Sequence, residues 1–365
     1  MSENLRPARV ASPGAILRRE LDARGWTQKE LAEIMRRPTQ AISEIIAGEK
    51  RITEETALEL ASALGTSAEF WLNLEANFRL RKAQTKEQAS RSDVIQRKAR
   101  LYELVPLGDI RKRGWIRETS SLDEMEADVC ALLGISSPRE APRFAASFRY
   151  SEARVPHSSA QVAWVKRVEQ VALERASGRF DRDTLRAAIP KLLQHATGPD
   201  AAPQALETLA RLGVGVAVVR HLPKTFVDGV AFVRDDGRPV LGLSLRYDRL
   251  DNFWFTLLHE VAHLVAGHKA AHLDDLKTPS TSPDECEANE MAQEWLVPRR
   301  AYASFLAATA QISAKAVQAF AAEIGRHPAI VVGRLQFEKR VPYSFFKPLI
   351  PKVGAVLEAS GWLDG

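Results

Sequence analysis

The chain has 365 residues, of which 45% are hydrophobic and 27% charged, with a net charge of +5; that is too long for one ordinary core, and two or three domains are expected. No apolar run could span a bilayer and the opening MSENLRPARV lacks a signal-peptide block, so a cytoplasmic protein with no membrane partner is expected. The two cysteines, Cys130 and Cys286, exclude a disulfide framework and suit a reducing compartment.

Residues 13 to 80 read as a set of short helices. In PGAILRRELDARG, Ile16, Leu17 and Leu21 share a face and Gly25 ends the helix. Thr27 caps the next helix and Glu30, three positions on, is its reciprocal partner in a capping box. Leu31, Ala32, Ile34 and Met35 supply the expected buried side. After the turn Arg36-Arg37-Pro38, Thr39 is placed to cap TQAISEIIAGEK and Gly48 to end it. Two short helices joined by a tight turn follow the helix-turn-helix plan, whose second helix enters the major groove. On that plan Thr39, Gln40, Ser43 and Glu44 face the groove, while Gln28 and Lys29 touch backbone or base from the preceding helix. Glu44 suits only a donor such as a cytosine amino group. A small helical bundle with a solvated face would carry the same residue types.

The stretch TQKELAEIMRRPTQAISEIIAGEKRITEETALELASALGTSAEFWLNLEANFRL resembles the lambda-repressor-like (XRE) domains, and specifically the HigA-type antitoxin regulators. The resemblance implies a homodimer that binds operator DNA, represses its own operon and pairs with a cognate toxin. The Arg36-Arg37-Pro38 turn departs from that family's Gly-Val type turn and adds positive charge near the groove.

From 81 to 200 the chain carries no motif and reads as a helical connector, with helical patterning in SLDEMEADVCALLG and AQVAWVKRVEQVALERA. A basic run, Arg79, Arg81, Lys82, Lys86, Arg91, Arg97, Lys98 and Arg100, opens it. Such a run can lie along phosphates, or it can be the solvated face of a linker helix.

Between 201 and 300, a helix ends at Gly213, GVAVVRH and GVAFVR read as strands, and Asp235-Asp236-Gly237 is a hairpin turn before PVLGLSL. This predicts a small antiparallel sheet. In FWFTLLHEVAHLVAGH a helix would put His259 and His263 one turn apart on one face, spaced to grip a zinc ion. Glu260 beside them can take a proton from an attacking water. Asp251 or Asn252 can cap this helix, Leu257, Val261 and Leu264 can bury it, and Gly267 can stop it. The bland alternative is a core helix whose histidines only hydrogen-bond. Zinc needs a third protein ligand, and SPDECEANEMAQEWLVP offers Glu287, seated by Ala288, Met291, Ala292 and Trp295, with Glu285 and Glu290 as alternates. Cys286 points away from Glu287.

VDGVAF, PVLGLSL, FTLLHEVAHLVAGH and ECEANEMAQEWLVP together resemble the ImmA/IrrE metallopeptidase family. The resemblance implies His259, His263 and Glu287 as zinc ligands, Glu260 as general base, and a repressor protein as substrate. His268, His272, Tyr247 and Tyr302 are candidates to stabilise an oxyanion, and Asp274 and Asp275 lie in the same gap. Residues 301 to 365 read as a C-terminal helical extension, with a helix from about Ser313 and Pro328 in the first turn of the next. The expected fold is mostly α with a small antiparallel sheet, an N-terminal helix-turn-helix bundle over 1–80 and a zincin-like peptidase core over 201–300. The expected function is a DNA-binding regulator whose Zn2+-dependent endopeptidase domain cleaves a regulatory protein. The competing reading is a HigA-like antitoxin or repressor whose zinc domain is structural or sensory.

Overall fold

The computed structural model describes residues 11–83, 86–142, 158–268, 273–274, 282–309 and 311–364. His272 and Asp275 lie outside these residues, and so does the side chain of Asp274. The chain divides into two units, with the boundary between Arg97 and Lys98.

The first unit is built from α1 (Pro13–Arg24), α2 (Gln28–Ile34), α3 (Thr39–Ala47), α4 (Glu54–Leu64) and α5 (Ala68–Ala83), and α6 (Lys86–Leu104) runs across the boundary. Ser12 caps α1, and the capping box on α2 is formed: Thr27 N donates to Glu30 at 2.7 Å and Glu30 N donates to Thr27 Oγ1 at 3.2 Å. The core closes around Leu17, Leu31, Ile42, Leu60 and Trp71, all fully buried. Two details differ from expectation. Ile34 is 49% exposed, because it stands off the stripe that Leu31, Ala32 and Met35 bury. Thr39 is the first helical residue of α3 rather than its cap; the N-cap is Pro38, whose ring fixes the extended backbone that this position takes.

The second unit contains α7 (Leu107–Lys112), α8 (Leu122–Leu133), α9 (Ser159–Arg175), α10 (Arg182–Leu193), α11 (Ala202–Arg211), β1 (Gly215–Val219), β2 (Gly229–Val233), β3 (Pro239–Leu243), α12 (Leu250–Ala266), β4 (Leu273–Asp274), α13 (Pro283–Leu296), α14 (Arg299–Ala308), α15 (Ala314–Glu323), α16 (Pro328–Phe337), α17 (Gly354–Ala359) and β5 (Leu363–Asp364). The strand order is β4-β2-β3-β1-β5. The hairpin β2–β3 and the pair β2–β4 are antiparallel, but β1 runs parallel to both β3 and β5, so the sheet is mixed rather than antiparallel. The physical reason is the connection over 220–228, which carries the chain past the position beside β1 that β3 later fills.

Both faces of the sheet are covered. Val216, Val218, Ala231 and Leu241 join one core with α11 and α12, while Ala217, Val219, Val230 and Val240 join a second with α8 and α9. Strands buried on both faces read as unbroken apolar runs, as GVAVV and PVLGL do. The expected connector therefore supplies one covering layer of this sheet: Trp164 of α9 donates to Val219 O at 2.9 Å. The C-terminal helices α15 to α17 contribute Phe320, Val331 and Leu357 to the other core, so they are integral to the unit.

Candidate metal centre

Helix α12 starts at the N-cap Arg249, not at Asp251 or Asn252; Asp251 instead sits in its first turn and pairs with Arg249 at 2.7 Å. Leu257, Val261 and Leu264 are buried, and Gly267 ends the helix in a left-handed conformation with φ 78°. This seats His259 and Glu260 at 0% exposure and His263 at 4%.

The helical repeat brings the two Nε2 atoms of His259 and His263 to 3.0 Å. The third group that converges on them is Glu285, whose Oε2 lies 3.3 Å from His259 Nε2 and whose Oε1 lies 3.4 Å from His263 Nε2, and one donor atom from each residue falls within 4.8 Å of the others. Glu287 does not converge: its side chain is 61% exposed and reaches His268 instead, at 3.3 Å. The cause is helical phase. The side of α13 that packs on α12 carries Ala288, Ala292 and Leu296, and stepping three residues back from Ala288 lands on Glu285, which is buried, whereas Glu287 points about 100° from Ala288. Glu290 is 72% exposed, and Cys286 is exposed.

Whether these residues fit zinc can be tested on the donor set. Two imidazole nitrogens and a carboxylate are ligands zinc takes, and bonds of about 2.0–2.1 Å in a tetrahedron give donor spacings of about 3.3 Å. The two Nε2 atoms are 3.0 Å apart, and each has a Glu285 oxygen near that spacing, Oε2 at 3.3 Å from His259 and Oε1 at 3.4 Å from His263, so the carboxylate can ligate through either oxygen. The set fits.

Beyond the three donors, His263 Nδ1 lies 2.8 Å from His268 Nδ1, and His268 Nε2 lies 3.3 Å from Glu287 Oε2 and 3.9 Å from Asp284 Oδ1. One tautomeric arrangement satisfies the chain: His263 donates through Nδ1, keeping its Nε2 lone pair for a metal, and His268 donates through Nε2 to the carboxylate. Carboxylate and imidazole partners of this kind hold a ligating ring in place. His268 is thereby engaged with His263. Tyr302 is buried beside Phe305, with its hydroxyl 3.2 Å from Glu338, and burial pushes its phenol well above the ordinary range. Tyr247 lines a cavity at the other end of α12.

Sequence reasoning missed Gly229. It stands opposite Glu260 on β2, where a β-carbon would lie 2.2 Å from Glu260 Oε1. A glycine inside a strand often marks such a close approach, and that was the available signal.

In the first unit, Lys29, Thr39, Gln40 and Ser43 are exposed, and Gln28 and Glu44 are half-buried. Gln40 Nε2 donates to Glu44 at 3.0 Å and Lys50 lies 3.9 Å from it, so the carboxylate does not face a groove uncompensated. Arg37 is not a free groove charge: it donates to Glu59 at 2.5 Å and pairs with Glu55 at 3.2 Å. In the basic run, Arg79 pairs with Glu75 at 2.5 Å and Arg100 with Glu103 at 2.9 Å, whereas Lys82, Arg91 and Lys98 are exposed.

Comparison with known proteins assigns both units. Residues 17–71 match the helix-turn-helix family model, and residues 213–330 match the peptidase M78 model, described as an IrrE N-terminal-like domain. The HTH-type transcriptional regulator YddM of Escherichia coli is 30% identical over 79 residues, which are 22% of this chain and 84% of the relative. Antitoxin HigA-1 of Vibrio cholerae is 41% identical over 68 residues, 18% of this chain and 64% of the relative. Among solved structures, a HigA-family addiction module antidote protein from Coxiella burnetii is 35% identical, covering 23% of this chain and 94% of its own, with a TM-score of 0.22. Through its first unit this chain belongs to the XRE-like helix-turn-helix regulators, and fused behind that domain it carries an IrrE N-terminal-like domain.

Proposed function

We propose that the chain is an operator-binding regulator whose second unit is a zinc-dependent endopeptidase acting on a regulatory protein. The observation that carries the reading is the convergence of His259, His263 and Glu285 beside the buried carboxylate of Glu260. His259 and His263 would hold the ion through Nε2 and Glu285 through its carboxylate, in the place first assigned to Glu287. Zinc, when bound, lowers the pKa of water toward neutrality and polarises a carbonyl oxygen. Glu260 takes the proton from the attacking water on its carboxylate and returns it to the leaving amine. Gly229 holds that carboxylate against β2, and His268 with Glu287 keeps the His263 ring in register.

The first unit brings this chemistry to DNA. Thr39, Gln40 and Ser43 on α3 read bases, while Lys29 meets phosphate, in a homodimer on a two-fold operator. Cleavage of a regulatory protein bound nearby then relieves repression. The deciding experiment incubates the zinc-loaded chain, and its Glu260→Gln variant, with the proteins encoded beside its gene. Cleavage by the wild type alone, with equal zinc in both, supports the reading; cleavage by the variant overturns it.

A second reading is favoured by the likeness of the first unit to HigA-1. In it the chain is a repressor that pairs with a toxin, and the metal centre is structural or sensory. Stable complex formation with a neighbouring small protein, without turnover, is its signature.

A further inference from the structure

Helix α12 carries a second feature on the face that bears its histidines. Asn252 and Phe255 precede His259 by about two turns and one turn, and the Phe255 and His259 rings lie 6.2 Å apart. On α13, Leu296 follows Glu285 by about three turns on the same side, flanked by Gln293 and the C-cap Val297. Between these residues and Ile330 and Phe337 of α16 lies a cavity of about 160 Å³. One wall is closed at Gly333 of α16, where a β-carbon would stand 2.5 Å from Asp251 Oδ2.

The chemistry of the lining names its occupant. Its two cations are already paired: Arg249 meets both oxygens of Asp251, at 3.0 and 2.7 Å, and Arg334 Nε donates to Glu338 at 2.5 Å. A charged guest would have to break one of these pairs, so the guest is neutral. Aromatic and aliphatic groups make up most of the remaining wall. An apolar cavity of about 150 Å³ takes up a benzene ring, so this one matches a single large apolar side chain. Its distance from the histidines is set by the helix: the lining runs from Phe255, four residues or about 6 Å before His259, to Arg249, ten residues or about 15 Å before it. An extended peptide covers such a span in about two to five residues.

We propose that this cavity receives the large apolar side chain, Phe, Leu or Met, of a peptide lying along the seam of α12 and α13. The inference rests on the reading of the second unit as a peptidase, and it assigns the substrate class: chains with a bulky neutral residue within about five positions of the bond cut.

Two measurements on the full chain, zinc-loaded, test it. The first is binding of N-acetyl-phenylalanine amide, with N-acetyl-glycine amide and N-acetyl-glutamate amide as controls, followed by protein-observed NMR. Saturable binding of the phenylalanine probe alone is expected, with Gln293→Trp, which fills the cavity, and Phe337→Ala, which removes its exposed wall, each weakening it at least about tenfold. Glu260→Gln should bind as the wild type does. Absence of binding, equal binding of the glutamate probe, or indifference to both cavity variants overturns the proposal.

The second measurement reads the cut sites in a library of peptides from digested cell protein. A bulky apolar residue at one fixed position, lost in Gln293→Trp, supports the pocket. Cutting with no such preference overturns it while leaving the peptidase reading intact. Probe binding without any cutting supports the pocket and sinks the peptidase reading.

Discussion

Glu260 and Gly229 are so close that no side chain fits between helix and strand: a β-carbon on Gly229 would lie 2.2 Å from Glu260 Oε1 and 2.8 Å from Thr256 Cγ2. β2 is held on both sides, by β3 and β4, and cannot withdraw. Gly229→Ala is therefore expected to push the Glu260 carboxylate out of place and to cost about 1–3 kcal/mol of stability as an overpacked core does. Cleavage should fall with Glu260 displaced, while zinc content, measured by atomic emission, stays near one per chain. Loss of zinc together with activity would show that the glycine serves the ligands instead.

The two acidic residues at the start of α13 are separable by metal content. Glu285→Ala should abolish stoichiometric zinc, because it removes one of three donors from a buried site. Glu287→Ala should leave zinc bound. His268→Ala, which removes the partner 2.8 Å from His263 Nδ1, should weaken zinc by about 10–100-fold, the usual cost of losing a second partner of a ligating imidazole. Competition with a chelator of known affinity measures all three. Equal loss from Glu285→Ala and Glu287→Ala would overturn the assignment.

These variants also mark how far the sequence could be read. His259, Glu260 and His263 were legible because their positions relative to one another depend only on the helical repeat, a local property. Glu285 against Glu287 was not: both lie on one helix, and the choice depends on which side of α13 packs on α12, a tertiary fact signalled only by the small residues Ala288 and Ala292. β5 was invisible for the same reason. Its two residues gain strand geometry by pairing with Val218 and Val219, far away in the chain, and Arg167 anchors them through Asp364 at 2.6 Å. The capping box of Thr27 and Glu30, by contrast, is complete within four residues and was read directly.

The turn between α2 and α3 contains a stability reserve. Arg36 sits at φ 52°, in the left-handed region that disfavours a β-carbon. Arg36→Gly should stabilise the first unit by at most about 1 kcal/mol, since relief of that strain is partly offset by glycine's greater freedom when unfolded. Arg37, which ties the turn to Glu55 and Glu59 on α4, should destabilise it when replaced by Met. Denaturant unfolding of the full chain measures both.

Operator binding should separate base readers from phosphate contacts. Gln40→Ala should weaken the cognate operator by about 1–3 kcal/mol and relax specificity at one position. Lys29→Ala should weaken all sequences alike and lower the slope of log affinity against log salt by about 1. Gel shifts over a salt series, with cognate and scrambled duplexes, distinguish the two. A scrambled duplex that loses affinity with Gln40→Ala as much as the operator does would remove Gln40 from the reading surface.

Two imidazoles outside the cluster of His259, His263 and Glu285 make stability depend on pH. Burial holds His327 below the usual imidazole pKa, and its Nδ1 accepts from Ala329 N at 3.1 Å as the cap of α16. Burial, together with Arg113, Arg246 and Arg220, does the same to His221. Both are depressed on folding, so between the folded value and the unfolded one, about 6.5, the unfolded chain binds more protons. Their contribution is therefore complete above pH of about 6.5 and is lost as the pH falls through the lower folded values. Thermal unfolding should show a midpoint that drops on acidification below that point. His327→Asn keeps a capping acceptor but cannot titrate, and it should flatten part of the drop while leaving the midpoint at pH 8 nearly unchanged. An unaltered acid limb in His327→Asn would mean that His327 is as readily protonated in the folded chain as in the unfolded one.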